Sequence, residues 1–169
     1  MSMNESLLFE FNQEMSITRK ALDRAPMEKA AWRPHEKSMP LGDLASHLAN
    51  IPAWTAPTIL QDSLDLAPPG GEPFKTPQAS TREELLAFFD SNVEEAGHAI
   101  AGVTDAQLMQ TWRLLMGGKE AFSAPRIGVM RGMILNHNVH HRAQLGIYLR
   151  LNGVSVPSTY GPSADEGGM

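Results

Sequence analysis

The stretch NHNVHHRAQL, residues 136–145, holds three of the six histidines in a chain of 169 residues. Two of them, His137 and His141, are four residues apart, so on a helix they stand one turn apart on the same face. At this spacing both imidazoles can bind one divalent ion. The alternative is a pair of core histidines that hydrogen-bond to polar neighbours, and the spacing alone does not separate the two.

A third histidine favours the metal site. Burying a neutral imidazole without a partner costs about 1–3 kcal/mol, so a histidine cluster in a core needs a shared partner. His47 lies on the apolar face of another predicted helix, and a catalytic zinc-type site uses three protein ligands and leaves one position open. The pattern therefore favours a metal site formed by His47, His137 and His141.

Other metal and nucleophile chemistries are excluded by residue type. A zincin-type protease needs His-Glu-x-x-His, and Asn138 occupies the position of the glutamate. The chain has no cysteine, which excludes disulfides, thiolate ligands and a cysteine nucleophile. His35 lies in a proline-flanked loop and His98 is offset from the apolar stripe, so we expect neither to be a ligand. His140, at the edge of the stripe, is expected at the surface or supporting the ligands.

Composition indicates a globular protein of ordinary size. Hydrophobic residues make up 42% and charged residues 20% of the chain, and we expect one domain over residues 1–169. No run of about 18 apolar residues predicts a membrane span. The formal charge of −5, without a basic cluster, disfavours nucleic acid as a partner. The N-terminus lacks the features of a signal peptide, so a cytoplasmic location is expected.

Four segments with helical spacing must position these histidines. The first runs from Asn4, the expected N-cap, to about Arg24, and the second starts near Pro40 and is kinked at Pro52. The third follows a capping box of Thr81 with Glu84. The fourth is predicted over 124–152, ending at Gly153.

The fourth helix is the longest, and a helical-wheel projection shows which of its residues face inward and which face outward. At 100° per residue, His137 and His141 point inward with Met130, Ile134 and Tyr148, while a second set points outward. The outward set is Arg131, Arg142, Gly146 and Arg150. Four helices that each have one apolar face predict an all-α four-helix bundle. Long loops join them, notably 65–77, and Gly117-Gly118 indicates a short hairpin before the last helix.

The chain resembles the DinB-like, or YfiT-like, metal-binding four-helix bundles. The resemblance rests on LGDLASHLANIPAW in the second helix, NHNVHHRAQLGIYLRLNG in the last and the tail VPSTYGPSADE, in the same order over nearly the whole chain. In that family one histidine of the second helix and two of the last hold a divalent ion, which implies His47, His137 and His141. His140 matches a frequent extra histidine that is not a primary ligand. Ala143 replaces the glycine of the usual HHRGQ.

The resemblance also implies an activity. Similar proteins use the metal to activate a low-molecular-weight thiol, so we expect a small-molecule substrate and a thiol-dependent transferase or isomerase, or a hydrolase that uses water. The ion is expected to be zinc or nickel, with iron or manganese as alternatives. A homodimer is also expected. Gln144 and Tyr148 are the candidate catalytic residues, and Trp54 is a candidate pocket wall.

Two points stay open at this stage. Asp165 and Glu166 either fold back to the site as acid–base groups or form a solvated acidic terminus. Three hypotheses remain for the function. The chain is an enzyme, a non-catalytic metal-binding bundle that acts as a structural or partner module, or an apo bundle whose histidines serve only in packing. A fourth protein ligand would favour the structural role, and an open position would favour catalysis.

Overall fold

The computed structural model describes residues 1–167. Its helices are α1 Met3–Asp23, α2 Leu41–Asn50, α3 Thr55–Leu60, α4 Arg82–Gly102, α5 Asp105–Leu108, α6 Arg126–Val129 and α7 His137–Leu151. Its strands are β1 Ser63–Asp65, β2 Thr111–Met116 and β3 Lys119–Pro125. Within the described residues, no helix has the length and apolar character needed to cross a membrane.

The four long predicted helices are present and pack around one core. α1 and α2 each pack against both α4 and α7, so the apolar stripes predicted from the sequence face one another. The largest fully buried side chains come from these stripes and include Phe11, Met15, Leu48, Leu85 and Phe89. The four-helix part of the prediction is therefore confirmed.

The helix starts follow the capping rules with one correction. α1 is capped by Ser2, whose backbone N–H donates to the Glu5 carboxylate at 2.8 Å, so the prediction of Asn4 as the cap is wrong. Asn4 lies inside the helix and donates to the carbonyl of Ala101. Ser2 is preferred because it is followed three residues later by a glutamate. In α4 the hydroxyl of Thr81 accepts the Glu84 N–H at 3.1 Å, so Thr81 is the predicted cap. The Glu84 carboxylate accepts the N–H of Ser80 rather than that of Thr81, so only half of the predicted capping box is formed.

A three-stranded sheet makes the all-α prediction incomplete. β2 and β3 form the predicted antiparallel hairpin, and the turn uses Gly117 and Gly118 at φ +63° and +75°, which glycine adopts without strain. β1 pairs in parallel with β2. It includes Asp65, the first residue of the predicted loop. Three residues are too few for a periodicity signal, and pairing with β2, distant in sequence, holds them extended.

The kink at Pro52 is present as a change of helix type. α2 ends at Asn50, a 3₁₀ turn spans Ile51–Trp54, and α3 follows directly. Pro52 cannot donate to the carbonyl of Leu48, so a regular helix cannot continue through it. The break leaves His47 in the last turn of α2.

The last helix contains a wide turn that its sequence did not reveal. Residues 126–151 form one helical run, but Met130–Asn136 is π-helical, with wider turns than an α-helix. The run starts at Arg126 rather than at the predicted Ala124, because Ala124 and Pro125 pair with β2. It ends at Leu151, and Gly153 follows at φ +73°, so the predicted C-terminal glycine is confirmed.

Arg142 is buried, so the prediction that it faces outward is wrong. Its side chain is only 4% exposed and lies 2.7 Å from the carboxylate of Glu14. It also donates to the hydroxyls of Thr18 and Tyr160. The wheel failed here because α7 buries two sides, one against α2 and the other against α1 and the C-terminal tail. Arg150 is half-exposed and pairs with Asp165.

Candidate metal centre

The structure brings the three predicted histidines together. His47, His137 and His141 each offer one ring nitrogen, and these nitrogens all lie within 4.8 Å of one another. The Nε2 atom of His137 is 3.3 Å from Nε2 of His47 and 2.8 Å from Nε2 of His141. Three imidazole nitrogens therefore converge on a single point.

Helix packing places these rings. His137 and His141 stand one turn apart at the start of α7, and His47 lies in the last turn of α2, which packs against α7. Leu44 and Leu48, on either side of His47 in α2, are fully buried, so their packing fixes the position of α2 along the bundle axis. All three histidines are half-buried, so their rings reach the edge of the core rather than its centre.

The outer nitrogen of each α7 ring faces an acceptor. Nδ1 of His137 lies 3.2 Å from the carbonyl oxygen of Met133, which can only accept, so Nδ1 carries the proton. Nδ1 of His141 lies 2.8 Å from Oε1 of Gln144, which likewise accepts in this orientation. Both Nε2 atoms are then left with lone pairs. This is the tautomer in which a histidine binds a metal through Nε2.

The donor set fits a divalent ion. Two lone pairs that face each other at 2.8 Å repel unless a cation lies between them. Nitrogens that bind one tetrahedral ion at about 2.0–2.1 Å are about 3.3–3.4 Å apart. The separation of 3.3 Å between His47 and His137 matches this value, and that of 2.8 Å between His137 and His141 is shorter. The three residues can therefore hold such an ion if the rings of His137 and His141 move slightly apart.

The environment keeps the rings neutral. Burial, with the charges of the two other histidines, lowers the pKa of His47 from 6.5 to about 4. Burial also lowers the pKa of His137 and of His141, although the hydrogen bonds to Met133 and Gln144 act in the opposite direction. At neutral pH each of these imidazoles is therefore uncharged and has one ring nitrogen without a proton, so an ion need not displace a proton to bind.

The π-helical turn removes one competing donor from the Met133 carbonyl. In a regular α-helix this carbonyl would accept the backbone N–H of His137. Here that N–H donates to Ile134 instead, and Met133 accepts from the imidazole of His137. Sequence reasoning missed Met133 because its contribution is a backbone atom, and no side-chain pattern marks it.

One aromatic ring borders the histidines, and a second packs against it. The ring centroid of Trp54 lies 6.2 Å from that of His47 and 5.9 Å from that of His137. Phe74, from the segment predicted as a loop, packs edge-on against Trp54 at 6.3 Å. Trp54 thus lies where a pocket wall was expected, and Phe74 extends that wall.

The other predicted residues occupy different places. Gln144 touches the cluster through His141, whereas the Tyr148 hydroxyl donates to the carbonyl of Met39 at 3.0 Å, outside the cluster. His140 is exposed with its ring centroid 4.9 Å from that of His141, and it is not one of the three converging residues. His35 and His98 are exposed, as expected.

The acidic tail folds back, but onto another part of the surface. Asp165 pairs with Arg150 and accepts the Val156 N–H, and Glu166 pairs with Arg24. Neither carboxylate belongs to the group of converging ligand atoms. Neither hypothesis for the tail is therefore correct in full. The two carboxylates form ion pairs instead of being free in solvent, but they lie outside the histidine cluster.

Comparison with known proteins identifies the family. A model of the DinB superfamily matches residues 10–145. A DinB-like protein from Bacillus cereus superposes with a TM-score of 0.70 at 23% identity, covering 92% of this chain and 97% of that one. A DinB-like protein from Bacillus subtilis gives 0.68 at 15% identity, covering 94% and 99%. No curated protein matches the sequence. The family match spans most of the chain, which therefore belongs to the DinB superfamily.

Proposed function

We propose that this protein is a metal-dependent enzyme in which His47, His137 and His141 hold a divalent ion. The observation that carries the proposal is the convergence of three imidazole nitrogens without a fourth His, Asp or Glu in the group, as far as residues 1–167 are concerned. Three protein ligands leave a coordination position for an exogenous molecule, which is the arrangement of catalytic rather than structural sites.

The chemistry is the activation of a nucleophile. When bound, the ion would lower the pKa of a thiol or water molecule in the open position and so supply a nucleophile near neutral pH. The reaction is then the transfer or isomerisation of a low-molecular-weight thiol adduct, or a hydrolysis. Zinc and nickel suit three neutral imidazoles, with iron or manganese as alternatives.

The protein contributes orientation and partial exclusion of water. Met133 and Gln144 hold the two α7 imidazoles in the Nδ1–H form, so their Nε2 atoms stay directed at one point. Trp54 covers one side of that point with an apolar ring, which strengthens electrostatic interactions there by lowering the local dielectric.

Metal content tests the site. Purified protein is loaded with zinc or nickel, dialysed, and analysed by elemental mass spectrometry beside His47→Ala and His98→Ala, a matched exposed control. We expect one ion per chain in the wild type and in His98→Ala, and close to none in His47→Ala. Equal metal content in all three proteins would refute the site.

Thiol consumption tests the reaction. Metal-loaded wild type and His47→Ala are incubated with a free thiol and 1-chloro-2,4-dinitrobenzene, and the remaining thiol is titrated. We expect faster consumption with the wild type than with the variant. A protein that binds metal but consumes no thiol and hydrolyses no ester would instead be the non-catalytic bundle.

A further inference from the structure

A narrow apolar crevice lies beside the histidine cluster, between the sheet and the last helix. It has a volume of about 30 Å³. Its lining includes Leu64, Leu66 and Leu114 from the sheet side and Trp54, Val129 and Met133 from the helices. A space of this size accepts a methyl group or the end of a short alkyl chain.

The crevice and the cluster share two residues. The ring of Trp54 lines the crevice, and its centroid is 5.9 Å from that of His137. Met133 also lines the crevice, and its carbonyl oxygen is 3.2 Å from Nδ1 of His137. Trp54 and Met133 are therefore the residues that join the histidine cluster to the crevice.

The polar side chains at the crevice are largely occupied. The hydroxyl of Thr58 donates to the carbonyl of Trp54 at 2.8 Å, and the indole N–H of Trp112 donates to the carbonyl of Pro57 at 3.2 Å. The indole N–H of Trp54 has no partner among the described residues, but it is buried and exposes no surface to the crevice. Such a lining neither holds water well nor compensates a charge, so it favours an uncharged apolar group.

The apolar lining is incompletely covered by the protein. Leu64, Leu66, Leu114 and Met133 are each only half-buried, although they lie together. Covering them with an apolar group releases water from this surface, which is favourable. A small ligand that extends from the histidines toward the sheet would provide that cover.

We infer that the substrate carries a small uncharged alkyl group close to its metal-binding atom, and that this crevice binds the group. The inference rests on the proposed metal site and adds the class of molecule that enters it. Leu66, Leu114 and Trp54 are then residues that determine specificity.

Hydroxamates of graded length test the inference, because they bind metals without requiring turnover. The zinc-loaded protein is titrated calorimetrically with acetohydroxamate, butyrohydroxamate and the monohydroxamate of succinate, which carries a carboxylate in place of the terminal methyl group. Acetohydroxamate is too short to enter the crevice, whereas butyrohydroxamate can place its terminal methyl group there. Burial of that one group predicts about fourfold tighter binding of butyrohydroxamate than of acetohydroxamate. The succinate derivative is expected to bind no better than acetohydroxamate.

Two neighbours on one strand provide the variants. Leu114→Phe narrows the crevice and should remove most of the advantage of butyrohydroxamate while leaving acetohydroxamate binding unchanged. Leu115→Phe is the matched control, because Leu115 is next in β2 but does not line the crevice. It should keep the fourfold ratio of the two affinities.

The outcomes separate the two claims. Zinc uptake with equal affinity for all three hydroxamates, or a tighter complex with the succinate derivative, would overturn the alkyl specificity and leave the metal site standing. A protein that takes up zinc but binds no hydroxamate has a closed site, and one that takes up no zinc has none. Either result would overturn the proposed function and this inference with it.

Discussion

The two α7 histidines differ from an ordinary pair at this spacing in what holds their second nitrogen. His137 is held by the backbone of Met133, and His141 by the side chain of Gln144. A backbone acceptor cannot be removed by substitution, but an amide can. Gln144 is therefore the position at which the orientation of a ligand can be altered without changing the ligand itself.

Replacement of Gln144 should weaken metal binding. Gln144→Ala removes the acceptor for Nδ1 of His141, and loss of such a contact lowers metal affinity by about 10-fold or more. Gln144→Glu keeps an acceptor and should retain most of the affinity. Zinc dissociation constants from competition with a chromophoric chelator measure both, with the exposed Gln78→Ala as control. Equal affinity in Gln144→Ala and wild type would contradict the orienting role.

Acidification should destabilise the metal-free protein. The pKa of His47 falls from 6.5 in the unfolded chain to about 4 in the folded one, and those of His137 and His141 are also lowered. Between these values the unfolded state binds more protons, so this contribution to stability is complete above pH 6.5 and is lost as the pH falls toward about 4.

Urea unfolding of the metal-free protein at several pH values from 7.5 to 4 measures this loss. Carboxylates titrate in the lower part of the same range, so the comparison is with His47→Gln. The variant should show a shallower decline of the unfolding midpoint between pH 6.5 and 4. Identical declines would mean that His47 titrates as it does in the unfolded chain.

At the scale of elements, the sequence predicted what depends on local periodicity. The stripes of α1, α2, α4 and α7, the Thr81 cap and the glycine hairpin each have a signal within a few residues. The three-residue β1 and the π-helical turn do not, because the first depends on pairing with β2 and the second on a single shifted hydrogen-bond register.

The same distinction applies to the site. His47, His137 and His141 could be predicted because helix facing and family resemblance select the same side chains. Met133, Phe74 and Leu114 could not. Met133 acts through its backbone, and the other two lie near Trp54 only because the sheet and the segment that follows β1 bring them there. Arg142 was predicted to face outward because the helical-wheel projection assumed a single buried face. It is in fact buried in a second interface, between α7 and α1, where it pairs with Glu14.

The carboxylate of Asp65 should hold the hairpin turn on β1. It accepts backbone N–H groups from Gly117 at 3.1 Å and Gly118 at 2.7 Å, as well as from Ala67. These hydrogen bonds lower its pKa. Asp65→Ala is expected to speed amide hydrogen exchange at Gly117 and Gly118 while leaving exchange in α4 unchanged. Unchanged exchange at the glycines would show that the turn holds itself.

At the scale of the whole molecule, a buried polar network joins the two ends of the chain. Arg142 pairs with Glu14 of α1, and the hydroxyl of Tyr160 in the tail lies within hydrogen-bond distance of both. The Thr18 hydroxyl adds a contact to Asn138 at 2.6 Å. The network lies on a different side of α7 from the histidines. It attaches the helix that carries His137 and His141 to α1 and to the C-terminal tail.

Removing one partner of this network should be costly. Glu14→Leu leaves the guanidinium of Arg142 buried without its counter-ion, which destabilises by about 3–5 kcal/mol. Glu10→Leu is the matched control one turn earlier, where the pair with Arg131 is exposed and contributes about 1 kcal/mol or less. Urea unfolding measures both, and similar losses in the two variants would contradict the importance of the buried pair.

The π-helical turn at Met130–Asn136 also limits how this site can be copied into another protein. A designer who grafts residues 137–144 onto a regular α-helix would reproduce the spacing of His137 and His141. The graft would still change the surroundings of the carbonyl that sets the His137 tautomer, because in an α-helix that oxygen also accepts the backbone N–H of His137. The smallest portable unit is therefore the stretch from Met130 to Gln144, wide turn included.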